Sequence, residues 1–298
     1  MDRALLTATK DHIASKIVNK HFKLSFGMSV TVNFKYNRET KSPNPLQLYR
    51  VSDGDTPVIE QPIRMVSCDT PEKAGYAGKP ETSQPKLEVC KQRLVENHYY
   101  DMHLPSGLRD YLAAKITSDA AQRHIDAGYD ATEEFERSLE ERLTTPNGKK
   151  RRVAVIPTGE IIDRYGRMLA YISPWFAGDK EGDPRPPKGD PRRKTFNLQM
   201  IEDGWAASFP IYPSLPNNDD LNRLIAGAEG AWNTPRGMWA KYGKNLLLAY
   251  EYRMCIKLAA ADNPEDGVKD AFQRYCVDLA NLKIVGKYDF YKVSPPHR

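Results

Sequence analysis

Three short segments of this chain carry acidic and basic residues at spacings suited to phosphate chemistry. Residues 53–56 read Asp-Gly-Asp-Thr, residues 64–72 contain an arginine followed by Asp-Thr-Pro-Glu, and residues 163–170 read Asp-Arg-Tyr-Gly-Arg-Met-Leu-Ala. Paired carboxylates bind a divalent cation through oxygen, and a guanidinium can donate two parallel hydrogen bonds to a phosphate. A further carboxylate nearby can orient or deprotonate a water molecule. Together these groups favour hydrolysis of a phosphodiester in nucleic acid.

Taken in this order, the three segments resemble the staphylococcal nuclease (thermonuclease-like) family. One segment alone is a weak signal, because Asp-Gly-Asp also occurs in ordinary turns. The resemblance extends more loosely through residues 204–206 and 236–239, and it covers roughly residues 46–242 with two insertions. It implies a calcium-dependent phosphodiesterase that cuts DNA, RNA or both with little sequence preference. Cleavage would fall on the 5′ side of the phosphate and leave 3′-phosphate ends.

Two aspartates and one carbonyl form the predicted metal site. Asp55 and Asp69 are the carboxylate ligands, and by resemblance the backbone carbonyl of Thr70 completes the contribution of the protein. Ligation by oxygen alone, with few protein ligands and no histidine, favours Ca²⁺ over Mg²⁺ or Mn²⁺. For Asp53 two interpretations stay open: a plain turn residue, or a group that supports the neighbouring ligand without touching the metal.

The predicted catalytic residues are Arg64, Glu72 and Arg167. By resemblance, the two arginines would bind the phosphate from two sides and stabilise the charge of the pentacoordinate transition state. Glu72 would act as general base or would position the attacking water. Tyr165 is expected to contact the phosphate or sugar, whereas Tyr212 either stacks on a base or simply packs.

Two other functions are compatible with this pattern. A nuclease-like domain in an interaction protein can bind nucleic acid without cutting it, and vacant catalytic positions are typical of that class. This chain keeps Arg64, Asp69, Glu72 and Arg167, which favours the enzyme. The third function is that of a latent nuclease, restrained by its additional helical segments until a partner or ligand arrives.

The composition is typical of a globular protein with a polar surface: 298 residues, 40% hydrophobic, with a net charge of +5 and a mean hydropathy of −0.64. No apolar run approaches the roughly 20 residues of a membrane span, and the first residues lack the apolar core of a signal peptide. We therefore expect a cytoplasmic protein without a membrane partner. Basic clusters at residues 149–152 and 192–194 are as compatible with steering a nucleic acid as with solvated loops.

The cysteines and histidines point to structural roles. The four cysteines form no CxxC pair, so we expect reduced thiols rather than zinc ligands. If residues 62–68 form a strand, Cys68 points into the core and away from Asp69, because neighbouring side chains on a strand alternate. The histidines, among them His124, are expected to be solvated or structural.

The elements that must position these groups follow from the spacing of apolar residues. Predicted helices cover residues 7–20, 85–97, 106–127, 131–143, 195–203, 218–232, 245–261 and 264–282, and predicted strands cover residues 25–36, 46–51, 62–68, 151–156 and 167–172. The expected fold class is α+β: a five-stranded OB-type β-barrel with packed helices.

The chain is expected to divide into three parts. Residues 1–44 form an N-terminal arm of helix and strand, residues 45–242 the nuclease-like domain, and residues 243–298 a C-terminal helical extension. Two insertions interrupt the domain, at about residues 73–131 and 174–191, the second as a mobile surface loop. The extension is expected to pack on the barrel, to self-associate or to bind a regulatory partner, in that order. Nothing in its composition indicates a catalytic residue.

Overall fold

The structure is a computed structural model that describes residues 16–23, 29–36, 46–211 and 214–298. The chain divides into two compact units. The first comprises Met1–Gln61 together with Arg164–Gly166, and the second comprises Pro62–Asp163 together with Arg167–Arg298. The second unit therefore holds most of the chain, including the predicted catalytic residues Arg64, Glu72 and Arg167.

The first unit contains two antiparallel hairpins among its described residues. β1 (Lys16–Lys23) pairs with β2 (Ser29–Tyr36), and β3 (Gln47–Asp53) pairs with β4 (Thr56–Glu60). The strands predicted at residues 25–36 and 46–51 match β2 and β3. The helix predicted at residues 7–20 is wrong from Lys16 onward, because the backbone there pairs with β2. Its earlier part lies outside the described residues.

The second unit mixes helices with short strands, in agreement with the predicted α+β class. Its helices are α1 (Ala74–Ala77), α2 (Pro80–Val95), α3 (Ser106–Lys115), α4 (Ala120–Leu143), α5 (Phe196–Glu202), α6 (Asn218–Asn233), α7 (Gly237–Lys241), α8 (Ala249–Ala260) and α9 (Pro264–Ala271). Its strands are β5 (Ile63–Met65), β6 (Ser67–Asp69), β7 (Val153–Ile162), β8 (Met168–Pro174), β9 (Ala207–Phe209), β10 (Cys276–Asp278) and β11 (Lys283–Gly286).

The described strands of the second unit form three separate sheets. In one sheet, β8 lies between β5, which runs parallel to it, and β7, which runs antiparallel. In the others, β6 pairs with β9 and β10 pairs with β11, both antiparallel. The single strand predicted at residues 62–68 is interrupted, because Ser67 adopts a φ of 61° and turns the chain from the first sheet into the second. Among the described residues no closed barrel forms, so the five-stranded OB-type barrel is not confirmed.

The 24-residue helix α4 contributes to all three apolar clusters of this unit. Ala121 and Ile125 pack with α2, α3 and α8, Ala127 packs in a cluster with Trp239, and Ala131 packs in a cluster with Cys68. The alanine side chains at 121, 127 and 131 are small, which lets neighbouring elements approach α4 closely. The bounds predicted for the helices at residues 106–127 and 131–143 are wrong. The break between them falls at residues 116–119, between α3 and α4, and not at residues 128–130.

The predicted insertion and the predicted C-terminal extension share one core. Helices α2 and α3 pack against α8 and α9, with Leu87, Leu112 and Leu258 fully buried among them. The helix predicted at residues 264–282 is too long, because α9 ends at Ala271 and β10 and β11 follow. Within the described part of the chain, no helix has both the length and the apolar character needed to cross a membrane.

Candidate active site

Three of the predicted site residues meet where the chain passes from one sheet to the next. Arg64 lies on β5, Asp69 ends β6, and Glu72 follows shortly before α1. Arg64 Nη2 donates to Asp69 Oδ1 over 2.6 Å. The Asp69 side chain is only 1% exposed, whereas the Arg64 side chain is 33% exposed. The carboxylate is therefore covered, while part of the guanidinium is accessible to a ligand from solvent.

A buried asparagine holds this crossing of the backbone. Asn197 on α5 donates from Nδ2 to the Val66 carbonyl over 2.9 Å, and its Oδ1 accepts from the Ile172 backbone N–H over 3.0 Å. The side chain thus joins the junction of β5 and β6 to β8. Beside it, Cys68 packs in an apolar cluster, as expected from alternation, and burial raises the pKa of its thiol to about 12.

An arginine from the C-terminal segment completes the cluster. Arg253 on α8 donates from Nη2 to Asp69 Oδ2 over 3.0 Å and from Nη1 to Glu72 Oε1. One guanidinium therefore spans both carboxylates. The contact brings a residue of the C-terminal segment, whose composition indicates no catalytic residue, to the site. The sequence carries no local signal for this contact beyond a charged residue within an otherwise largely apolar helix.

The carboxylates of the cluster keep its two arginines charged. Burial by itself lowers the pKa of Arg64 and of Arg253. Attraction to Asp69, and for Arg253 also to Glu72, outweighs burial, so that both arginine pKa values lie above the ordinary value. Both guanidinium groups are therefore positively charged at neutral pH.

Helix α4 fixes the backbone of Glu72. The Glu72 N–H donates to His124 Nε2 over 3.0 Å, so the ring proton lies on Nδ1, which donates to the Leu247 carbonyl over 3.0 Å. Burial lowers the pKa of His124 to about 4, which keeps the imidazole neutral and agrees with a structural histidine. One turn later, Gly128 gives the chain room: a Cβ there would lie 2.6 Å from the Glu72 carbonyl carbon.

Arg167 lies immediately before β8 and is held by Asp163. Its Nε and Nη2 donate to Asp163 Oδ2 over 2.9 and 2.7 Å. In the parallel pairing of β5 with β8, Arg64 stands opposite Leu169. Because side chains alternate along a strand, Arg167, two residues before Leu169, starts from the same face as Arg64. The register thus relates Arg167 to the face of the sheet that carries Arg64, although Arg167 itself precedes β8.

The remaining predicted site residues are distributed as follows. Thr70 follows β6 and is partly buried. Asp53 ends β3, Asp55 lies in the turn after it, and both are exposed residues of the first unit. Tyr165 is also exposed and belongs to the first unit, whereas Tyr212 lies outside the described residues. The roles of these residues at the site stay predictions.

The predicted calcium site can be tested against the donors that the second unit offers. Across the described residues, no three acidic, histidine or cysteine side chains are grouped so as to hold a metal ion. Asp69 and Thr70 are the predicted ligands in this unit, and both oxygens of Asp69 accept hydrogen bonds from guanidinium groups. Ca²⁺ takes about six to eight oxygen ligands. The donor set as arranged does not fit a calcium ion, which would have to displace an arginine from Asp69.

The two basic clusters and the predicted surface loop are tied to acidic residues. Four ion pairs form: Lys150 with Glu140, Arg151 with Asp183, Arg192 with Asp190, and Lys194 with Glu202. Arg151 donates from Nε and Nη2 to the carboxylate oxygens of Asp183 over 2.8 to 3.1 Å, which anchors the loop after β8. These pairs favour a structural role for the paired basic residues over steering of a nucleic acid.

Comparison with known proteins supports the resemblance seen in the motifs. Residues 113–241 match the family model described as staphylococcal nuclease homologue. A search of curated proteins gave no match. The matched segment contains Arg167 and the two α4 residues that hold Glu72, while Arg64, Asp69 and Glu72 precede it and Arg253 follows it. This segment of the chain is therefore similar to a staphylococcal nuclease homologue domain.

Proposed function

We propose that this protein is a nuclease that hydrolyses phosphodiester bonds in DNA, RNA or both, with little sequence preference. The observation that carries the proposal is the meeting of Arg64, Asp69 and Glu72 in one cluster. These residues come from the segment whose residue types and spacing predict phosphodiester hydrolysis. The staphylococcal nuclease homologue domain that contains Arg167 supports the same conclusion.

The side chains of the cluster divide the work of hydrolysis between them. Arg64 and Arg167 are each about one-third exposed and start from one face of the sheet, so they bind phosphate oxygens and stabilise the charge that develops on them. Glu72 orients the attacking water or accepts its proton. The bond between phosphorus and the 5′ oxygen breaks, which leaves a 3′-phosphate and a 5′-hydroxyl.

Three finer parts of the proposal come from the resemblance or from composition. Calcium dependence, with Asp55, Asp69 and the Thr70 carbonyl as ligands, has the least support in the described arrangement, because Asp69 is already paired. The OB-type barrel is likewise proposed from the resemblance. Self-association or a regulatory partner at the C-terminal helices is weakened as a proposal, because the apolar faces of α8 and α9 pack in the core of their own unit.

Cleavage of labelled oligonucleotides by the purified full chain tests the proposal. Single-stranded and duplex DNA and RNA would be incubated with Ca²⁺, Mg²⁺ or a chelator, beside Glu72→Gln and the control Glu81→Gln. Glu81 is an exposed acid in the first turn of α2. We expect Glu72→Gln to lower the rate by about 10²- to 10⁴-fold, the usual contribution of a general base, and Glu81→Gln to leave it unchanged. Full activity of Glu72→Gln and of Arg167→Ala would contradict the proposal.

A nucleic-acid-binding module without catalysis is the second candidate. It is favoured by the pairing of both carboxylates with arginines, which leaves Asp69 and Glu72 engaged within the protein. The same experiment distinguishes the two candidates. Tight binding of an oligonucleotide without cleavage under any metal condition, equal in the wild type and in Glu72→Gln, would support the binding module.

A further inference from the structure

We propose that Arg253 is the resident counter-ion of Asp69 and Glu72, so that a divalent cation binds at Asp69 only in competition with this arginine. The inference deepens the proposed function and rests on it for the meaning of the site. Arg253 lies beyond the segment that matches the family model, which ends at residue 241.

The geometry assigns each arm of the guanidinium to one carboxylate. Nη2 donates to Asp69 Oδ2 over 3.0 Å, and Nη1 donates to Glu72 Oε1. A planar guanidinium can make both contacts at once because its donors form a fixed fork, whereas an ammonium group is a single point charge. Arg253 therefore sets the separation of the predicted metal ligand and the predicted base.

The helix that carries Arg253 is firmly anchored. Glu251, two residues before Arg253, is fully buried and accepts from Lys115 Nζ over 2.6 Å and from Arg298 Nη1 over 2.8 Å. Tyr252, directly before Arg253, stacks on His124 with the ring centroids 4.1 Å apart. His124 in turn binds the Glu72 backbone. These contacts hold α8 in place, so Arg253 is positioned beside the two carboxylates by a rigid element, as a precise ion pair requires.

The electrostatics make the arginine and a cation competitors. Asp69 Oδ1 accepts from Arg64, and the Asp69 side chain is only 1% exposed. An ion therefore reaches the carboxylate only where a guanidinium moves away. A doubly charged ion a few ångströms from Arg253 would be repelled by it, because like charges at such distances interact strongly even at a high effective dielectric. Neutralising Arg253 removes its repulsion of the cation and frees Asp69 Oδ2, while Arg64 stays at Oδ1.

Calorimetric titration of Ca²⁺ into the full chain tests the inference directly. The variants are Arg253→Gln, Arg253→Lys and the control Lys257→Gln, which removes an exposed positive charge one turn further along α8. We expect Arg253→Gln to bind Ca²⁺ at least about tenfold more tightly than the wild type, because repulsion is relieved. Lys257→Gln should bind like the wild type. Adding Asp69→Asn to Arg253→Gln should abolish the gain, which would place the ion at Asp69.

Three outcomes would overturn the inference: equal affinity in the wild type and Arg253→Gln, weaker binding in Arg253→Gln, or a gain that survives Asp69→Asn. If Arg253→Gln does not fold, as judged by circular dichroism, Arg253→Lys decides. A lysine holds only one of the two carboxylates, so its Ca²⁺ affinity should rise several-fold, and wild-type affinity would reject the inference. A failure of the proposed function appears separately, as absent cleavage by every protein, because the titration requires no catalysis.

Discussion

Arg253 Nη2 lies 3.0 Å from Asp69 Oδ2, although 184 positions separate the two residues in the chain. This contact makes the C-terminal segment part of the candidate site rather than an appendage to it. Helix α8, which carries Arg253, shares a core with α2 and α3, so the geometry around Asp69 depends on the packing of all three helices. Variants in this helical core should therefore affect the site as well as the stability of the fold.

Asp69→Asn should destabilise the protein more than the same change at an exposed ion pair. The substitution removes the negative charge that faces both Arg64 and Arg253. Removing one partner of a fully buried pair costs about 3–5 kcal/mol, and because both arginines are one-third exposed we expect about 2 kcal/mol. Urea unfolding measures the loss.

Asp190→Asn is the matched control for that substitution. Asp190 pairs with Arg192, whose side chain is 68% exposed, so losing this pair should destabilise the protein clearly less than Asp69→Asn does. Equal losses in the two variants would show that the cluster at Asp69 contributes no more than a surface pair.

Gly128→Ala should disturb the site without changing any charged group. A Cβ at this position would lie 2.6 Å from the Glu72 carbonyl carbon and 2.9 Å from the Lys73 nitrogen, and neither backbone atom can rotate away. We expect a loss of stability of about 1–3 kcal/mol, together with reduced cleavage. Gly75→Ala, where no atom lies within 4 Å of the added Cβ, is the control and should retain both properties. Undiminished stability of Gly128→Ala would mean that α4 does not hold the Glu72 backbone this closely.

His124 should make stability depend on pH between about 6.5 and 4. Its pKa is lowered from 6.5 to about 4 in the folded protein, so the unfolded chain takes up a proton first as the pH falls. The stability from the neutral buried ring is complete above pH 6.5 and is lost as the pH falls towards 4, by a total of about 3 kcal/mol.

His124→Gln isolates that contribution, because glutamine does not titrate in this range. The free energy of unfolding would be measured in urea at several pH values for both proteins. The difference between wild type and variant should shrink steadily from pH 6.5 to pH 4. A constant difference would show that His124 takes up its proton equally in the folded and unfolded states.

Glu251→Gln should be among the most destabilising single substitutions in the chain. Burial by itself would raise the pKa of Glu251, but the charges of Lys115 and Arg298 outweigh burial and lower it, so the carboxylate is ionised. The neutral side chain would leave two buried cations without a charged partner, at a cost of about 3–5 kcal/mol. Thermal and urea unfolding measure this, with Glu140→Gln as the control, since the Glu140 side chain is 71% exposed beside Lys150. A similar small loss in both variants would contradict the assignment.

Local features explain which elements could be predicted. Helices α5 and α6 begin where expected, because Thr195 and Asn217 cap their N-termini with side-chain hydrogen bonds. Residues 62–68 are predicted as a single strand because no glycine or internal proline interrupts the segment. Its interruption at Ser67 depends on pairing with two different partners, β8 and β9, which lie far along the chain.

Other elements depended on their tertiary partners. The helical spacing at residues 16–20 is overridden by pairing with β2, and the apolar residues after Ala271 form a hairpin instead of extending α9. Apolar spacing reports that a face is buried, but it does not report against what. The sequence therefore predicts the helices of the insertion and of the C-terminal segment as two separate additions, whereas in the structure they share one apolar core.

The sequence by itself predicts the chemistry of the candidate site, because Arg64, Asp69 and Glu72 lie within nine residues and their types and spacing indicate phosphodiester hydrolysis. Only the tertiary structure decided what surrounds them: the guanidinium of Arg253 across both carboxylates, and His124 and Gly128 behind the Glu72 backbone. The physical reason is that the hydrophobic burial which brings α4 and α8 to these residues is non-directional, so the sequence indicates that a face is buried but not which partner covers it.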